Sequence, residues 1–239
     1  LMVVAGIMDR LIGFSNAVVG KFHGGLANVT ILSGAILASV SGAAVASASA
    51  LGSILVPSLR EYYDDGYISS VVASAANIGP IIPPSAAMIV YALMAGSSVS
   101  VGALFIAGIV PGVILTLALM AASSVISYRK GFPLTGETFK LKNVLVQFKR
   151  SIVIFMMPIL VIGGIVGGIF TATEGAGIAV LYALCIGFFL TKKLKVADLP
   201  GVLFRAAIGS SVVGALIAFA STVTFIFTVD LLPIAISQF

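Results

Sequence analysis

The sole histidine of the chain, His23, stands in a short loop, and the sole cysteine, Cys185, lies inside the apolar run from Val180 to Leu190. One histidine leaves no His-rich metal motif, and one cysteine leaves neither an internal disulfide nor a Cys-ligated cluster. An intramembrane aspartyl protease would need two carboxylates at one depth, and none of the apolar centres supplies them. No Gly-rich loop is followed by Lys-Ser or Lys-Thr, so nucleotide hydrolysis by that route is excluded. Glu174 could relay protons, because carboxylates inside membranes are costly and often functional. Its neighbours favour another role: Thr171-Ala172-Thr173-Glu174 fits a capping box, with Thr171 capping a helix and Glu174 reaching back to a free backbone donor. Asp230 reads as interfacial, and Asp9 and Arg10 pair with each other or with other chains.

What remains is the chemistry of interrupted backbone. Two places carry it: Ser41-Gly42, with Ser47 and Ser49 close behind, and the run Asn77-Ile78-Gly79-Pro80-Ile81-Ile82-Pro83-Pro84-Ser85. Small residues such as these also serve as helix-packing surfaces in membranes, which is the plain reading of Ser47 and Ser49. Three prolines so close together are harder to explain by packing, since each removes a backbone donor and clashes with the preceding turn. Irregular backbone at membrane depth is tolerated only where protein or a water-filled cavity satisfies it. There, half-helix N-termini offer N–H groups to an anion, and unwound carbonyls and half-helix C-termini can ligate a cation. The candidate positions are Ser41, Gly42, Ser47, Asn77, Gly79, Pro80, Pro83 and Ser85.

The elements that must position these residues follow from composition. Of 239 residues 60% are hydrophobic and 9% charged, and mean hydropathy is +1.22, against about a quarter charged in soluble domains. Apolar runs of ~20 residues match the ~30 Å hydrocarbon core, so the chain reads as one all-α, polytopic membrane domain over 1–239 with lipid as its solvent. The net charge of +5 lies in short loops and not on a periodic face, so it speaks for membrane topology and not for nucleic acid. The chain starts within an apolar run, Leu1-Met2-Val3-Val4, and stops at Gln238-Phe239 just after another; a fragment of a longer protein is expected.

Residues 26–59 form an apolar stretch interrupted at Ser41-Gly42-Ala43, with halves of ~15 residues, too short to span alone. They form either one overlong tilted helix or a re-entrant hairpin. Residues 67–95 form a helix broken at the proline run, and further spans are expected at about Val101 to Tyr128, Ser151 to Phe170, Thr173 to Leu190 and Phe204 to Val229. Pro111 marks a kink in the first of these, and the Ser/Thr-rich centre of the last marks a distortion. Arg129, Lys130, Lys140, Lys142, Lys149 and Arg150 put a loop over 129–150 in the cytoplasm, as Lys192, Lys193, Lys195 and Arg205 do for another. With Arg60 and Lys21 then also cytoplasmic, the charges favour the re-entrant hairpin.

The motifs His23-Gly24-Gly25-Leu26-Ala27, Ser41-Gly42, Ala50-Leu51-Gly52-Ser53-Ile54-Leu55-Val56-Pro57 and Ile78-Gly79-Pro80-Ile81-Ile82-Pro83-Pro84-Ser85 resemble the large membrane subunit (M, DctM-like) of the tripartite ATP-independent periplasmic (TRAP) transporters. So do the stretch from Ala103 to Gly112 and Phe170-Thr171-Ala172-Thr173-Glu174; the resemblance runs over nearly the whole chain in order. It implies a sodium-coupled secondary transporter of the bacterial inner membrane, moving as an elevator and importing organic carboxylates, a C4-dicarboxylate or a sugar acid such as sialic acid. It also implies a small membrane subunit (Q type), a soluble periplasmic substrate-binding protein (P type), no organic cofactor, and sodium as coupling ion, expected at Ser41, Gly42, Asn77, Gly79 and Pro83. Each of two inverted repeats would hold a re-entrant hairpin and a broken helix, of which only the first pair is expected here. Family members often carry Ser-Gly-Ser-Ala-Val-Ala-Asp at this hairpin tip, where the present chain has Ser41-Gly42-Ala43-Ala44-Val45-Ala46-Ser47. A cation here would have to rely on backbone carbonyls and neutral oxygens. A passive channel and a non-transporting scaffold are the alternatives.

Overall fold

A computed structural model describes residues 7–96, 99–134 and 140–230, so the expected ends at Leu1 and at Gln238-Phe239 lie outside the described residues. Helices α1 (Ile7–Val19), α2 (Gly25–Ser41), α3 (Ala44–Leu59), α4 (Asp65–Asn77), α5 (Ala86–Ala95), α6 (Val101–Arg129), α7 (Leu141–Val166) and α8 (Ala172–Cys185) follow one another, α8 continuing through a π-turn over Ile186–Leu190. These belong to one compact unit, Leu1–Lys193. A second unit, Leu194–Phe239, consists of a 3₁₀ turn at Val196–Asp198 and helix α9 (Leu199–Val229). Among the described residues there is no strand. Among the described residues four helical stretches are long and apolar enough to cross a membrane, Val101–Arg129, Leu141–Val166, Ala172–Leu190 and Val196–Val229.

Helix α2 lies at the centre of the first unit. It packs on α1, α3, α4 and α6, and Ala27, Val29, Ile31, Leu37 and Ala38 are all buried. Its approach to α4 is backbone-close, since a Cβ on Gly34 would lie 2.9 Å from both the carbonyl oxygen and the Cβ of Ala75. Buried polar groups on α2 bond inside the bundle, as a water-poor environment requires, with the exception of Asn28 Oδ1, which is buried without a hydrogen-bond partner among the described residues. Ser33 Oγ donates to Ser15 Oγ (3.0 Å), Thr30 Oγ1 to the Leu26 carbonyl (2.9 Å), and Asn28 Nδ2 to Ser124 Oγ (2.8 Å).

Helices α2 and α3 are joined by two residues, Gly42 in the left-handed region (φ 61°) and extended Ala43. Both outer ends of this hairpin lie beside the C-terminal end of α6. At the start of α2 the ring of His23 meets Tyr128 edge-on at 5.3 Å, and beyond the end of α3 Asp64 pairs with Lys130 at 2.7 Å. The Lys130 ammonium and the Tyr67 backbone N–H hold the Asp64 carboxyl below its usual range. The pair is therefore intact at neutral pH, and its contribution is lost only as acid protonates Asp64 below the ordinary carboxylate value. Inside this end, Tyr67 Oη contacts the Ser123 carbonyl (3.1 Å), Ser123 Oγ (2.7 Å) and Ser127 Oγ (2.9 Å). Tyr67→Phe is expected to cost about 1–2 kcal/mol by stranding these buried groups. Measured on the detergent-solubilised full-length protein, the melting temperature should fall by a few degrees; an unchanged value would show that the cluster does not hold α4 to α6.

One expectation needs correction. Residues 129–150 are not a loop throughout, because α7 begins at Leu141. Aromatic residues hold this helical turn among its charges: Phe148 stacks with Phe155 (5.6 Å) and meets Phe14 of α1 (6.1 Å). Helix α6 runs as one helix from Val101 through Pro111 to Arg129. Helix α9 is continuous over Leu199–Val229, and Thr222, Thr224 and Thr228 in its C-terminal half each donate their hydroxyl to the carbonyl four residues back, at 2.8–3.0 Å.

Candidate functional site

The break expected in residues 67–95 is present. Helix α4 ends at Asn77, α5 starts at Ala86, and the eight residues between are turns and bends. Ile78 closes the first turn by accepting from the N–H groups of Ile81 and Ile82, both at 3.0 Å. Ser85 then restarts the helix: its Oγ accepts from Met88 N–H (3.4 Å) as an N-cap and donates to the Pro80 carbonyl (2.7 Å), fastening the two sides of the break. Pro83 and Ser85 are fully buried.

The hairpin tip sits directly on this break. A Cβ on Gly42 would lie 2.4 Å from the Pro84 carbonyl oxygen and 3.3 Å from Ser85 Cα. From the other side, a Cβ on Gly79 would lie 3.2 Å from both the Ala43 carbonyl carbon and the Ala44 nitrogen. The two glycines thus let backbone meet backbone, and Gly42 additionally supplies a positive φ that other residues adopt at a cost. The C-terminal ends of α2 and α4 and the N-terminal ends of α3 and α5 converge here, so partial negative and partial positive helix ends share one locus.

Of the candidate residues, Ser41, Gly42, Ser47, Gly79, Pro80, Pro83 and Ser85 belong to the tip or the break in contact. Ser41 Oγ and the fully buried Ser47 Oγ are 2.9 Å apart, so the two hydroxyls bridge the hairpin turn. The Pro80 carbonyl is occupied by Ser85. Asn77 is exposed at the end of α4 and makes no side-chain hydrogen bond among the described residues, and Ser49 is exposed on α3. Among the described residues no three His, Cys, Asp or Glu side chains cluster. The oxygens at the contact are hydroxyls and carbonyls, a neutral hard-donor set that suits an alkali cation and not a soft or thiolate-seeking metal.

Sequence reasoning missed the support for the break. On α6, a Cβ on Gly108 would lie 2.7 Å from the Ile81 carbonyl oxygen, and one on Gly112 would lie 2.5 Å from Ile82 Cγ1. The signal was present as two glycines four residues apart, on one helix face, in the stretch Ala103 to Gly112. The capping box, in contrast, is formed as expected. Thr171 N–H donates to Glu174 Oε2 (2.8 Å), and Glu174 N–H donates to Thr171 Oγ1 (3.3 Å).

Residues 1–239 match the family model described as "Tripartite ATP-independent periplasmic transporter, DctM component". The chain is 37% identical to the sialic acid TRAP transporter permease protein SiaT of Haemophilus influenzae, over 94% of this chain and 36% of that protein. It is 32% identical to the C4-dicarboxylate TRAP transporter large permease protein DctM of Pseudomonas aeruginosa, over 99% of this chain and 55% of that protein. It is 33% identical to the 2,3-diketo-L-gulonate TRAP transporter large permease protein YiaN of Escherichia coli, over the whole of this chain and 56% of that protein. The chain therefore spans between about a third and somewhat more than half of the length of these relatives. Its apolar helices and this family place it in the inner membrane. The chain belongs to the DctM family, the DctM component of the tripartite ATP-independent periplasmic transporters.

Proposed function

We propose that the chain supplies one half-site of a sodium-coupled importer of organic carboxylates, and that the contact between the Gly42 tip and the Gly79–Ser85 break is that half-site. The observation that carries this reading is the backbone-to-backbone seating of the tip on the break, which gathers four helix ends at one point. Carbonyls and the Ser41 and Ser47 hydroxyls would hold sodium, and helix N-termini would face the substrate carboxylate. The printed names of the relatives are those of transporters for sialic acid, C4-dicarboxylates and 2,3-diketo-L-gulonate, and each of those substrates carries a carboxylate. The hairpin would be re-entrant, with its outer ends and the basic loops in the cytoplasm. A small membrane subunit of the Q type and a periplasmic binding protein of the P type would complete the transporter, which would move as an elevator. Each net positive charge carried inward releases ~2.3 kcal/mol per 100 mV, enough to bias the cycle before any concentration gradient.

The test is uptake of radiolabelled sialic acid and C4-dicarboxylates into proteoliposomes holding the full-length transporter, with its binding protein outside and sodium outside, inside or absent. Accumulation that requires both inward sodium and the binding protein supports the proposal. Flux indifferent to both would instead indicate a channel, and no flux with any of these substrates would leave a scaffold. Replacing Pro83 and Pro84 together by alanine is expected to remove sodium-dependent uptake, because alanine restores the donors and the freedom to wind the break into helix. Unchanged uptake by that variant would sink the role given to the broken helix.

A further inference from the structure

Away from the tip and the break, a cleft of about 470 Å³ opens between α1 and the first turns of α7, lined by Asp9, Arg10, Gly13, Gln147 and Arg150. That volume lies within the range of small-ligand sites. Two reciprocal bonds fix its walls: Arg10 Nη1 donates to the Arg150 carbonyl (3.1 Å), and Ser151 Oγ donates to the Arg10 carbonyl (2.9 Å). The Arg10 and Arg150 guanidiniums have no acidic partner among the described residues, where the ion pairs engage Arg60, Lys130 and Lys193 instead. Asp9, the one carboxylate in the lining, is already paired with Lys193 at 2.8 Å. The cleft thus presents two guanidiniums and one carboxylate already neutralised by Lys193, with the Gln147 amide as a further donor. It stays open because α1 has a glycine there: a Cβ on Gly13 would lie 3.3 Å from Gln147 Oε1.

Depth identifies the anion. Arg150 immediately precedes the apolar part of α7, and Lys193 follows by three residues the end of the span Ala172–Leu190. Both mark the level at which apolar helices leave the hydrocarbon, where phospholipid phosphates lie. Phe148 and Ile152, on either side of Arg150 along α7, are exposed and offer acyl chains an apolar surface. We infer that this cleft binds the headgroup phosphate of an anionic phospholipid, with Arg10 and Arg150 as its ligands. Guanidinium groups suit a phosphate because they offer paired donors in a planar fork, and basic pockets between membrane helices are a recurrent means of holding such lipids.

The test is a titration of delipidated full-length protein in detergent with phosphatidylglycerol, phosphatidylethanolamine or inorganic phosphate, with bound species counted by native mass spectrometry. Wild-type protein should retain phosphatidylglycerol in preference to phosphatidylethanolamine, and millimolar phosphate should not displace it. Arg150→Gln should weaken phosphatidylglycerol binding about tenfold, as expected for losing a hydrogen bond to a charged group. Only the backbone carbonyl of Arg150 takes part in the bonds that hold α1 to α7, so that variant keeps the fold. Gly13→Val, which narrows the cleft without changing charge, should weaken binding too, and Lys142→Gln, on the same helix outside the cleft, should not. Wild-type affinity in both Arg150→Gln and Gly13→Val, or an equal loss in Lys142→Gln, would overturn the site. Equal binding of phosphatidylethanolamine, or displacement by phosphate, would overturn the assignment to an anionic lipid.

Discussion

Gly42→Ala is expected to lower sodium-driven uptake by at least about tenfold while leaving insertion of the protein intact. Two costs combine at this position. An L-residue at φ 61° carries a penalty of about 1–2 kcal/mol, and the new methyl would stand 2.4 Å from the Pro84 carbonyl oxygen. The carbonyl belongs to a half-buried residue flanked by the fully buried Pro83 and Ser85, so the tip is expected to lift from the break. A loss of about 1.4 kcal/mol in the transport-competent arrangement already corresponds to a factor of ten. Gly52→Ala, on the same hairpin, is the control: its added carbon meets nothing within 4 Å, and uptake should be unaffected. If Gly42→Ala keeps more than half of wild-type uptake, the seating of the tip on the break is not part of the transport site.

Gly108→Val should act on the same break from behind. Its Cβ would lie 2.5 Å from Met88 Cε and 2.7 Å from the Ile81 carbonyl oxygen. The methionine end can swing away, whereas the carbonyl is held by the turn around Ile78. Overpacking of this kind costs about 1–3 kcal/mol, so both uptake and the melting temperature should fall. Gly163→Val on α7, where an added Cβ meets open space, should change neither. A Gly108→Val protein that melts and transports like wild type would mean that α6 does not position the break.

The parts of this architecture legible in the sequence are those written in local chemistry. Pro80, Pro83 and Pro84 stop a helix wherever they occur, Ser41-Gly42 interrupts an apolar run, and Thr171 with Glu174 is a contiguous capping signal. These gave the break, the two-helix hairpin and the start of α8 close to their observed positions. The tip-to-break contact could be expected only as a pairing, because its atoms are the Pro84 carbonyl and the Ala43 and Ala44 backbone, and backbone carries no signature of its partner. The Gly108 and Gly112 docking face and the Tyr67–Ser123–Ser127 cluster were hidden for a similar reason: their meaning comes from residues 20 or more positions away. At 141–150 the failure was one of weighting. Positive charge marks topology, yet it does not prevent Leu141, Leu145 and Phe148 from sharing a helix.

The two-residue link between α2 and α3 also bears on how the chain enters its membrane. Helix α2 has 17 residues and α3 has 16, or about 26 Å and 24 Å of helix, each short of the hydrocarbon thickness. Helix α2 also carries the buried Asn28 and Ser33, whose partners Ser124 and Ser15 lie on α6 and α1. A nascent chain that ended after Leu59 would present the insertion machinery with two undersized, polar-spotted segments lacking a partner from α6. The hairpin is therefore expected to acquire its place only after α4 and α6 have been synthesised, a late assembly of residues translated early.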